Sequence, residues 1–134
     1  EKCRNAFGMN SARYEVIPKG LWDGETELSF CSGFNGGSMV SESGTEKVSV
    51  CKLDDVITEK VTFIKMDIEG AEIKALQGGY RTIMRDKPKL AISIYHRPED
   101  IYEIPAFICR LNPAYRFYFG HYSIAAAETV LYAV

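Results

Sequence analysis

The segment at residues 61–79 changes its hydrophobic period partway along. Residues 61–68 have the β-branched and aromatic content of a strand, whereas the apolar residues after Ala71 recur at helical spacing. An acidic turn, Asp67-Ile68-Glu69-Gly70, separates the two. In a parallel α/β sheet, ligands bind at the carboxyl ends of the strands. The segment therefore predicts an α/β fold with two carboxylates at the edge where a ligand would bind.

The composition is typical of one globular domain. The 134 residues are 46% hydrophobic and 12% aromatic, enough for a core of their own. The formal charge of -2 creates no field that would draw the chain to nucleic acid or an anionic membrane. No signal peptide opens the sequence, and no apolar run approaches the ~20 residues of a membrane span. We expect a single domain over residues 1–134, cytoplasmic, without nucleic-acid or membrane partners.

The first third of the chain predicts a hairpin and a loop. Residues 1–8 resemble the last turns of a helix that ends at Gly8. A strand candidate at residues 13–22 precedes Asp23-Gly24, a strong two-residue turn signal, so a hairpin with residues 25–30 is expected. Residues 31–47 are rich in Gly and Ser and predict a long loop, either a binding lid or a surface connection.

A short strand and a long helix are predicted around the acidic turn. Residues 48–53 alternate like a strand, and Asp54-Asp55 would cap a single helical turn after it. The helix after the acidic turn should end at Pro88. Gly78-Gly79 inside it favours close packing against the sheet, because glycine costs roughly 1 kcal/mol relative to alanine in a helix. Its inner face would carry Ile73, Leu76, Tyr80 and Ile83.

The last third predicts a strand, a helix and a closing hairpin. Residues 90–95 form a second buried strand that ends in His96. Pro98 is well placed to begin the helix, and Pro105 should kink or restart it. Residues 115–122 and 128–134 predict an antiparallel pair. The inner face of the helix would carry Ile101, Ile104, Ile108 and Leu111.

The acidic turn and its strand carry the first candidate functional residues. Lys65 and Asp67 point to the same face, since side chains alternate along a strand. A lysine in a strand covered on both faces needs a partner, because an unpaired buried charge costs several kcal/mol. Either Lys65 forms an ion pair with a carboxylate that only holds the structure, or Asp67 or Glu69 receives the cationic or hydroxyl-bearing part of a ligand. Glu69, beside the amino end of the helix, is either a cap or a ligand contact.

Two histidines end strands, and both are candidates. Neighbouring parallel strands lie ~5 Å apart, so His96 would approach Asp67 if their strands are adjacent. An acid and an imidazole together can act as a general base, although a histidine at a strand end also has a structural interpretation. His121 closes a strand of the last hairpin in the same way. No HExxH motif or metal-binding carboxylate spacing is present, so no metal is predicted.

The four cysteines predict no zinc site. They form no CxxC motif and no Cys/His pair at zinc spacing, and a domain of this size folds without disulfides. We expect buried or incidental thiols at Cys3, Cys31, Cys51 and Cys109.

Four sequence runs carry a resemblance to a known family. KMDIEGAEIKAL, PKLAISIYHRPEDIYEIP, LNPAYRFYFGHYS and ETVLYAV resemble the carboxyl part of the FkbM family of S-adenosylmethionine-dependent methyltransferases. The resemblance extends from Leu53 to the end and, more weakly, back to Arg13. It implies a Rossmann-like class I methyltransferase sheet of order 3-2-1-4-5-7-6, with residues 61–68 as strand four. This chain would hold the sheet truncated at its amino-terminal side and ending in an antiparallel hairpin.

The resemblance also implies an activity and a set of site residues. It implies methyl transfer from S-adenosylmethionine to the hydroxyl of a small molecule or sugar. By analogy Asp67 lies near the methyl group that is transferred. We then expect Asp67 and His96 to be catalytic, Asp67, Glu69 and Gly70 to contact the donor, and Lys65 and His121 to contact the acceptor. The family's first strand with its glycine-rich turn, and its second strand, have no counterpart here, so we expect this chain alone to bind the donor weakly or not at all. The alternative is a non-catalytic binding or assembly module with the same fold.

The family's strand order predicts an open edge. Strand one pairs with strand four in that order, so a chain lacking strands one and two would expose residues 61–68 along one side. Exposed edges recruit a partner strand. Either residues 13–22 would pair there, or two chains would join there as a homodimer, which is the favoured alternative.

Overall fold

The computed structural model describes residues 15–32, 38–40, 44, 46–124 and 127–134. The predicted helix end at Gly8 and the start of the strand candidate at residues 13–14 lie outside this part of the chain. None of the helices found here has the length and apolar character needed to cross a bilayer. The elements follow one another as β1 (Gly20–Leu21), β2 (Thr26–Ser32), β3 (Ser38–Val40), β4 (Glu46–Cys51), α1 (Leu53–Val56), β5 (Phe63–Met66), α2 (Glu72–Gly78), α3 (Tyr80–Asp86), β6 (Lys89–Ser93), α4 (Asp100–Leu111), β7 (Phe117–His121) and β8 (Thr129–Ala133).

The second of two four-stranded sheets confirms the predicted fold class. Its strand order is β5-β6-β8-β7, with β5 and β6 parallel and the two remaining pairs antiparallel. This order matches strands four, five, seven and six of the Rossmann-like methyltransferase sheet. The predicted closing hairpin is confirmed as β7 and β8. The chain therefore folds as an α/β protein whose main sheet ends in an antiparallel hairpin.

The core lies between this sheet and the helices α2, α3 and α4. Each fully buried aliphatic side chain contributes roughly 1.5–3 kcal/mol relative to an exposed one. The strand β5 contributes Ile64 and Met66 to the core and turns Phe63 and Lys65 away from it. The core positions with no measurable exposure are Ala75, Leu76, Ile83, Ile92, Ile104, Ile108, Leu131 and Ala133.

The expectation that β5 is covered on both faces is wrong for the described residues. Phe63 is 57% exposed, and the Lys65 side chain is 61% exposed. The alternation of the strand places both on the face that the helices leave open. The charge of Lys65 therefore stays hydrated, and its partner does not have to offset a burial cost.

The predicted hairpin across Asp23-Gly24 is also wrong, because β4 lies between its two strands. The strand β1 pairs with β4 in parallel, and β2 pairs with the other side of β4 antiparallel. The turn docks on helix α2 instead, where Lys74 donates a hydrogen bond to Asp23 at 2.7 Å. A turn signal specifies a change of direction, and here long-range pairing decides which strands become neighbours.

Part of the predicted loop at residues 31–47 is strand. The strand β2 continues to Ser32, and β3 pairs with it, Cys31 opposite Met39. The strand β4 already begins at Glu46. Residues 33–37, 41–43 and 45 of the predicted loop lie outside the described residues.

The predicted long helix is two shorter ones, α2 and α3, that meet at Gly79. Ile73, Leu76 and Ile83 are buried as expected. Tyr80, which follows the break at Gly79, is exposed instead.

Helix α4 differs from its prediction in two respects. It runs through Pro105 without interruption, so the predicted restart is wrong; burial of Ile104 and Ile108 on either side stabilises the helix there. Leu111 is buried as predicted, whereas Ile101, in the first turn, faces solvent.

Asp54 caps a different helix from the one predicted. Helix α1 has no side-chain cap, and Asp54 instead accepts hydrogen bonds from the backbone amides of Arg81 and Thr82 at 2.9 and 2.8 Å. Burial acts to raise the pKa of Asp54, but these hydrogen bonds outweigh it and hold the pKa below its usual value. The carboxylate thus ties α1 to the first turn of α3.

We predict that Gly78→Ala destabilises the protein. A methyl group at this position would overlap the carbonyl oxygen of Trp22, and the Trp22 carbonyl carbon would lie 3.0 Å away. Overpacking of this kind costs about 1–3 kcal/mol, which exceeds the gain in helix propensity. Urea unfolding measures the effect. Gly24→Ala is the control, because a methyl group there meets nothing within 4 Å; equal stability of both variants would contradict the close approach.

The carboxyl group of Asp86 is expected to titrate near pH 2. Arg85 donates hydrogen bonds to it and the amide of Val61 donates another at 2.8 Å, which lowers its pKa to about 2. Because the folded pKa is depressed, the stability it contributes is complete above its unfolded pKa of ~4 and is lost as the pH falls toward 2. Carbon NMR of the carboxyl resonance tests this, and a midpoint near 4 would contradict the hydrogen-bonded arrangement.

Candidate functional site

The acidic turn directs its side chains to the carboxyl end of β5. Glu69 and Gly70 have φ angles of 56° and 91°, left-handed values that reverse the chain between β5 and α2. The Ile68 amide donates a hydrogen bond to Glu72 at 2.8 Å, which fixes the turn to the first residue of the helix. Glycine suits position 70 because of this left-handed conformation, since a methyl group there would be only in ordinary contact with Arg97, at 3.4 Å.

His96 lies at the centre of a group of carboxylates. Its Nε2 atom is 3.5 Å from Asp67 Oδ1 and 3.7 Å from Glu69 Oε2, while its Nδ1 atom is 3.0 Å from Glu72 Oε1. The side chain of His96 is only 8% exposed, and neither ring nitrogen has the geometry of a hydrogen bond. The ring also packs on Tyr95, with 4.1 Å between ring centroids. The predicted approach of His96 to Asp67 is therefore confirmed.

Asp67 is an ionised carboxylate that is open to solvent. Its side chain is 38% exposed, with Lys65 Nζ at 3.4 Å and the Tyr95 hydroxyl donating at 3.2 Å. Burial acts to raise the pKa of Asp67, but hydrogen bonds from Ser93, Lys65 and Tyr95 and the charge of Lys65 outweigh it, so the pKa lies below its usual value. Burial, together with the charge of Asp67 and the hydrogen bond to it, raises the pKa of Tyr95 to about 12. Tyr95 is thus a stable donor at neutral pH.

Two buried acids beside His96 were missed by the sequence argument. Glu72 and Asp100 have no measurable exposure, and one oxygen of each lacks a hydrogen-bond partner. Burial raises the pKa of Asp100, as does the charge of Glu72, against a hydrogen bond from the Arg97 amide. A signal existed for Glu72, because it lies four residues before the buried Leu76 and so shares the inner face of the helix.

The cap interpretation of Glu69 is wrong. Helix α2 has no side-chain cap, and its first turn contains Glu72 rather than Glu69. The Glu69 side chain is about half exposed and faces His96 instead. Its position is that of a residue available to a ligand.

His121 lies at the same edge of the sheet but apart from Asp67. It ends β7, which runs in the same direction as β5 and lies three strand spacings away, ~14 Å. There it contacts Thr129, with 2.8 Å between Nδ1 and the hydroxyl. The structure thus brings Lys65, Asp67, Glu69 and His96 together, and leaves His121 at the far end of that edge.

An open cavity lies beside His96, at the carboxyl end of β6. Its volume is about 370 Å³, and its walls combine apolar and polar groups. Ile94, Pro98 and Ile101 supply the apolar surface, and Tyr95, Arg97 and Thr129 supply polar atoms. The cavity has room for a small organic molecule beside His96.

Comparison with known proteins identifies the family. The Methyltransferase FkbM domain matches residues 1–117. The crystal structure of the methyltransferase FkbM from Methylobacillus flagellatus KT is similar, with a TM-score of 0.77 and 32% sequence identity; the match covers 98% of this chain and 31% of that chain. This chain thus spans under a third of the length of that protein. No curated protein matches it. The match over most of the sequence and the shared fold show that this chain belongs to the FkbM methyltransferase family.

Proposed function

We propose that the protein containing this chain transfers a methyl group from S-adenosylmethionine to a hydroxyl group of a small molecule or sugar. The reaction would take place at the carboxyl end of β5. The observation that carries the proposal is that Asp67 and Glu69 both lie within 3.7 Å of the Nε2 atom of His96 at that edge. Family membership supplies the reaction class, and this cluster supplies groups suited to it.

The described residues fit the charged part of the donor. S-adenosylmethionine, when bound, supplies an electrophilic methyl group on a positive sulfonium. Asp67 is ionised, exposed and aimed at this edge, and the neighbouring Glu69 doubles the negative charge, so both complement a sulfonium. Gly70 leaves its backbone open beside them. The sequence contains no glycine-rich donor turn, so the adenosine part would need further residues.

We assign proton acceptance to His96 and orientation to Asp67. The lowered pKa of Asp67 makes it a weak proton acceptor, whereas histidine is the most common general base. Asp67 and Glu69 both lie near Nε2, so the charge that the ring gains with a proton is paired with carboxylates. Methyl transfer also depends on in-line placement of donor and acceptor, which the fixed turn favours.

The acceptor would occupy the cavity beside His96. Lys65, exposed and 3.4 Å from Asp67, can donate a hydrogen bond to an acceptor oxygen. His121 lies ~14 Å along the edge from β5, so it would contact only an acceptor longer than one ring. A sugar-bearing molecule meets this requirement.

Transfer of a labelled methyl group from S-adenosylmethionine to a panel of hydroxyl compounds tests the proposal. Label appearing on a hydroxyl oxygen is the expected result. The rival function, a non-catalytic binding module, is favoured by the missing donor turn. It would be supported if the protein neither binds the donor in calorimetry nor transfers the label.

We also propose that β5 pairs with a strand from outside the described residues, and that a second copy supplies it when the 134-residue chain is alone. Residues 15–22 do not fill this role, because β1 pairs with β4. The carbonyl of Thr62 accepts from Lys89 on the β6 side, so the amides of Phe63 and Lys65 point to the open side. A row of unpaired amides of this kind favours a dimer through residues 61–68.

Phe63→Pro is predicted to abolish the dimer. Proline removes an amide on the open side of β5 and leaves the hydrogen bonds to β6 in place. Light scattering at micromolar concentration measures the association. Phe63→Ala, which keeps the amide, is the control for the exposed ring. A wild-type monomer whose Phe63 and Lys65 amides exchange freely with solvent would contradict the proposal.

A further inference from the structure

Asp67, Glu72 and His96 form a cluster that its own hydrogen bonds do not satisfy. Each residue offers a ligand atom, and these atoms lie within 4.8 Å of one another. The buried ring of His96 has no hydrogen bond at either nitrogen, and Oε2 of the fully buried Glu72 has no partner. A buried polar group left unpaired costs about 1–3 kcal/mol. Nitrogen and oxygen atoms that converge without hydrogen-bond geometry can act as ligands of an ion.

The acidic composition of the cluster also favours a cation. Three carboxylates, Asp67, Glu69 and Glu72, surround one imidazole ring. Within the described part of the chain, the ion pairs of these carboxylates involve only Lys65 and His96. Lys65 contacts Asp67 alone and is mostly exposed, so within the described residues no lysine or arginine forms an ion pair with the buried Glu72.

We propose that His96, through Nε2, and Asp67 bind a divalent transition-metal ion, with Glu69 as an additional ligand and Glu72 at the other ring nitrogen. Ligand atoms around such an ion lie about 3–4 Å apart, which follows from bond lengths of about 2.1 Å. The 3.5 Å contact of Nε2 with Asp67 already falls in this range. The half-exposed Glu69 can swing in from 3.7 Å. Glu72, 3.0 Å from Nδ1, would hold the proton of that nitrogen and fix the ring.

The ligand types select the ion. Imidazole favours Zn²⁺ and other transition ions, whereas carboxylates favour Mn²⁺, so the mixed set suits Mn²⁺ or Zn²⁺. Mg²⁺ and Ca²⁺ prefer oxygen ligands alone and should bind more weakly. The absence of an HExxH motif does not conflict with this site, because its ligands come from two strand ends and the acidic turn. The ion would occupy Nε2, the nitrogen to which proton acceptance is assigned above, so His96 would act as the base only in the ion-free chain; ion binding itself does not depend on the proposed function.

Titration of Mn²⁺ into the protein that carries this chain, followed by the electron paramagnetic resonance signal of free Mn²⁺, tests the proposal. We expect one ion per chain, displaced by Zn²⁺ and not by equal Mg²⁺. Glu72→Gln and Asp67→Asn should each weaken binding at least about 10-fold. Gln at position 72 still offers an oxygen to the Ile68 amide, and circular dichroism checks the fold.

Glu59→Gln is the matched control, an exposed glutamate outside the cluster that should leave binding unchanged. Binding of neither Mn²⁺ nor Zn²⁺ at millimolar concentration would overturn the proposal. Equal binding by wild type, Glu72→Gln and Asp67→Asn would overturn it too. The electron paramagnetic resonance signal measures ion binding independently of the methyl-transfer assay. Failure of the ion site and failure of the proposed activity are therefore separate results.

Discussion

Asp67→Asn is expected to lower kcat/KM for methyl transfer by about 10²–10⁴ while the fold stays intact. Asparagine keeps the size of the side chain and can still accept a hydrogen bond from Tyr95. It loses the charge that faces the sulfonium and the ring of His96. Because the side chain is 38% exposed, the substitution creates no buried cavity. Transfer of a labelled methyl group at saturating donor measures the effect.

Asp55→Asn is the matched control for this experiment. Asp55 is an exposed aspartate in α1 that pairs with Arg81, away from the edge of the main sheet. Its substitution should leave kcat/KM unchanged. Wild-type turnover in Asp67→Asn would mean that this carboxylate has no part in the reaction, and His96 would be the next residue to test.

The isolated 134-residue chain should bind S-adenosylhomocysteine at least about 100-fold more weakly than a version extended by the family's first two strands. The extension would supply the glycine-rich turn and the acidic ribose ligand. Several hydrogen bonds worth about 0.5–1.5 kcal/mol each are then missing from the short chain. Calorimetry on both versions measures the difference.

Circular dichroism of the short chain controls for unfolding in that comparison. Tight, stoichiometric binding by the folded short chain would contradict the prediction. It would mean that the acidic turn and its neighbours hold the donor by themselves.

The elements predicted correctly from the sequence are those in which local period and long-range pairing agree. The strand β5, the acidic turn and the hairpin of β7 and β8 follow from residues that lie next to each other in the sequence. The hairpin expected at Asp23-Gly24 failed because β4, more than 20 residues later, inserts between β1 and β2. The sequence of a turn does not predict such an insertion, because strand pairing depends on the packing of segments that are distant in the sequence.

The sequence predicted the site residues that lie at strand ends, and missed the acidic residues that are buried at helix starts. Asp67 and His96 were expected to meet because adjacent parallel strands end at one edge. Glu72 and Asp100 were not considered, although both are fully buried, because acids are usually assigned to the surface. Their positions in the first turns of α2 and α4 become meaningful only once those helices are packed against His96.

A structure of the protein that carries this chain, bound to S-adenosylhomocysteine, tests the central claim most directly. The account predicts the homocysteine sulfur at the carboxyl end of β5, facing Asp67 and His96. It also predicts the cavity beside His96 as the space left for the acceptor. A ligand bound instead in the groove between α2 and α4, near Gln77 and Arg110, would contradict the assignment of the site.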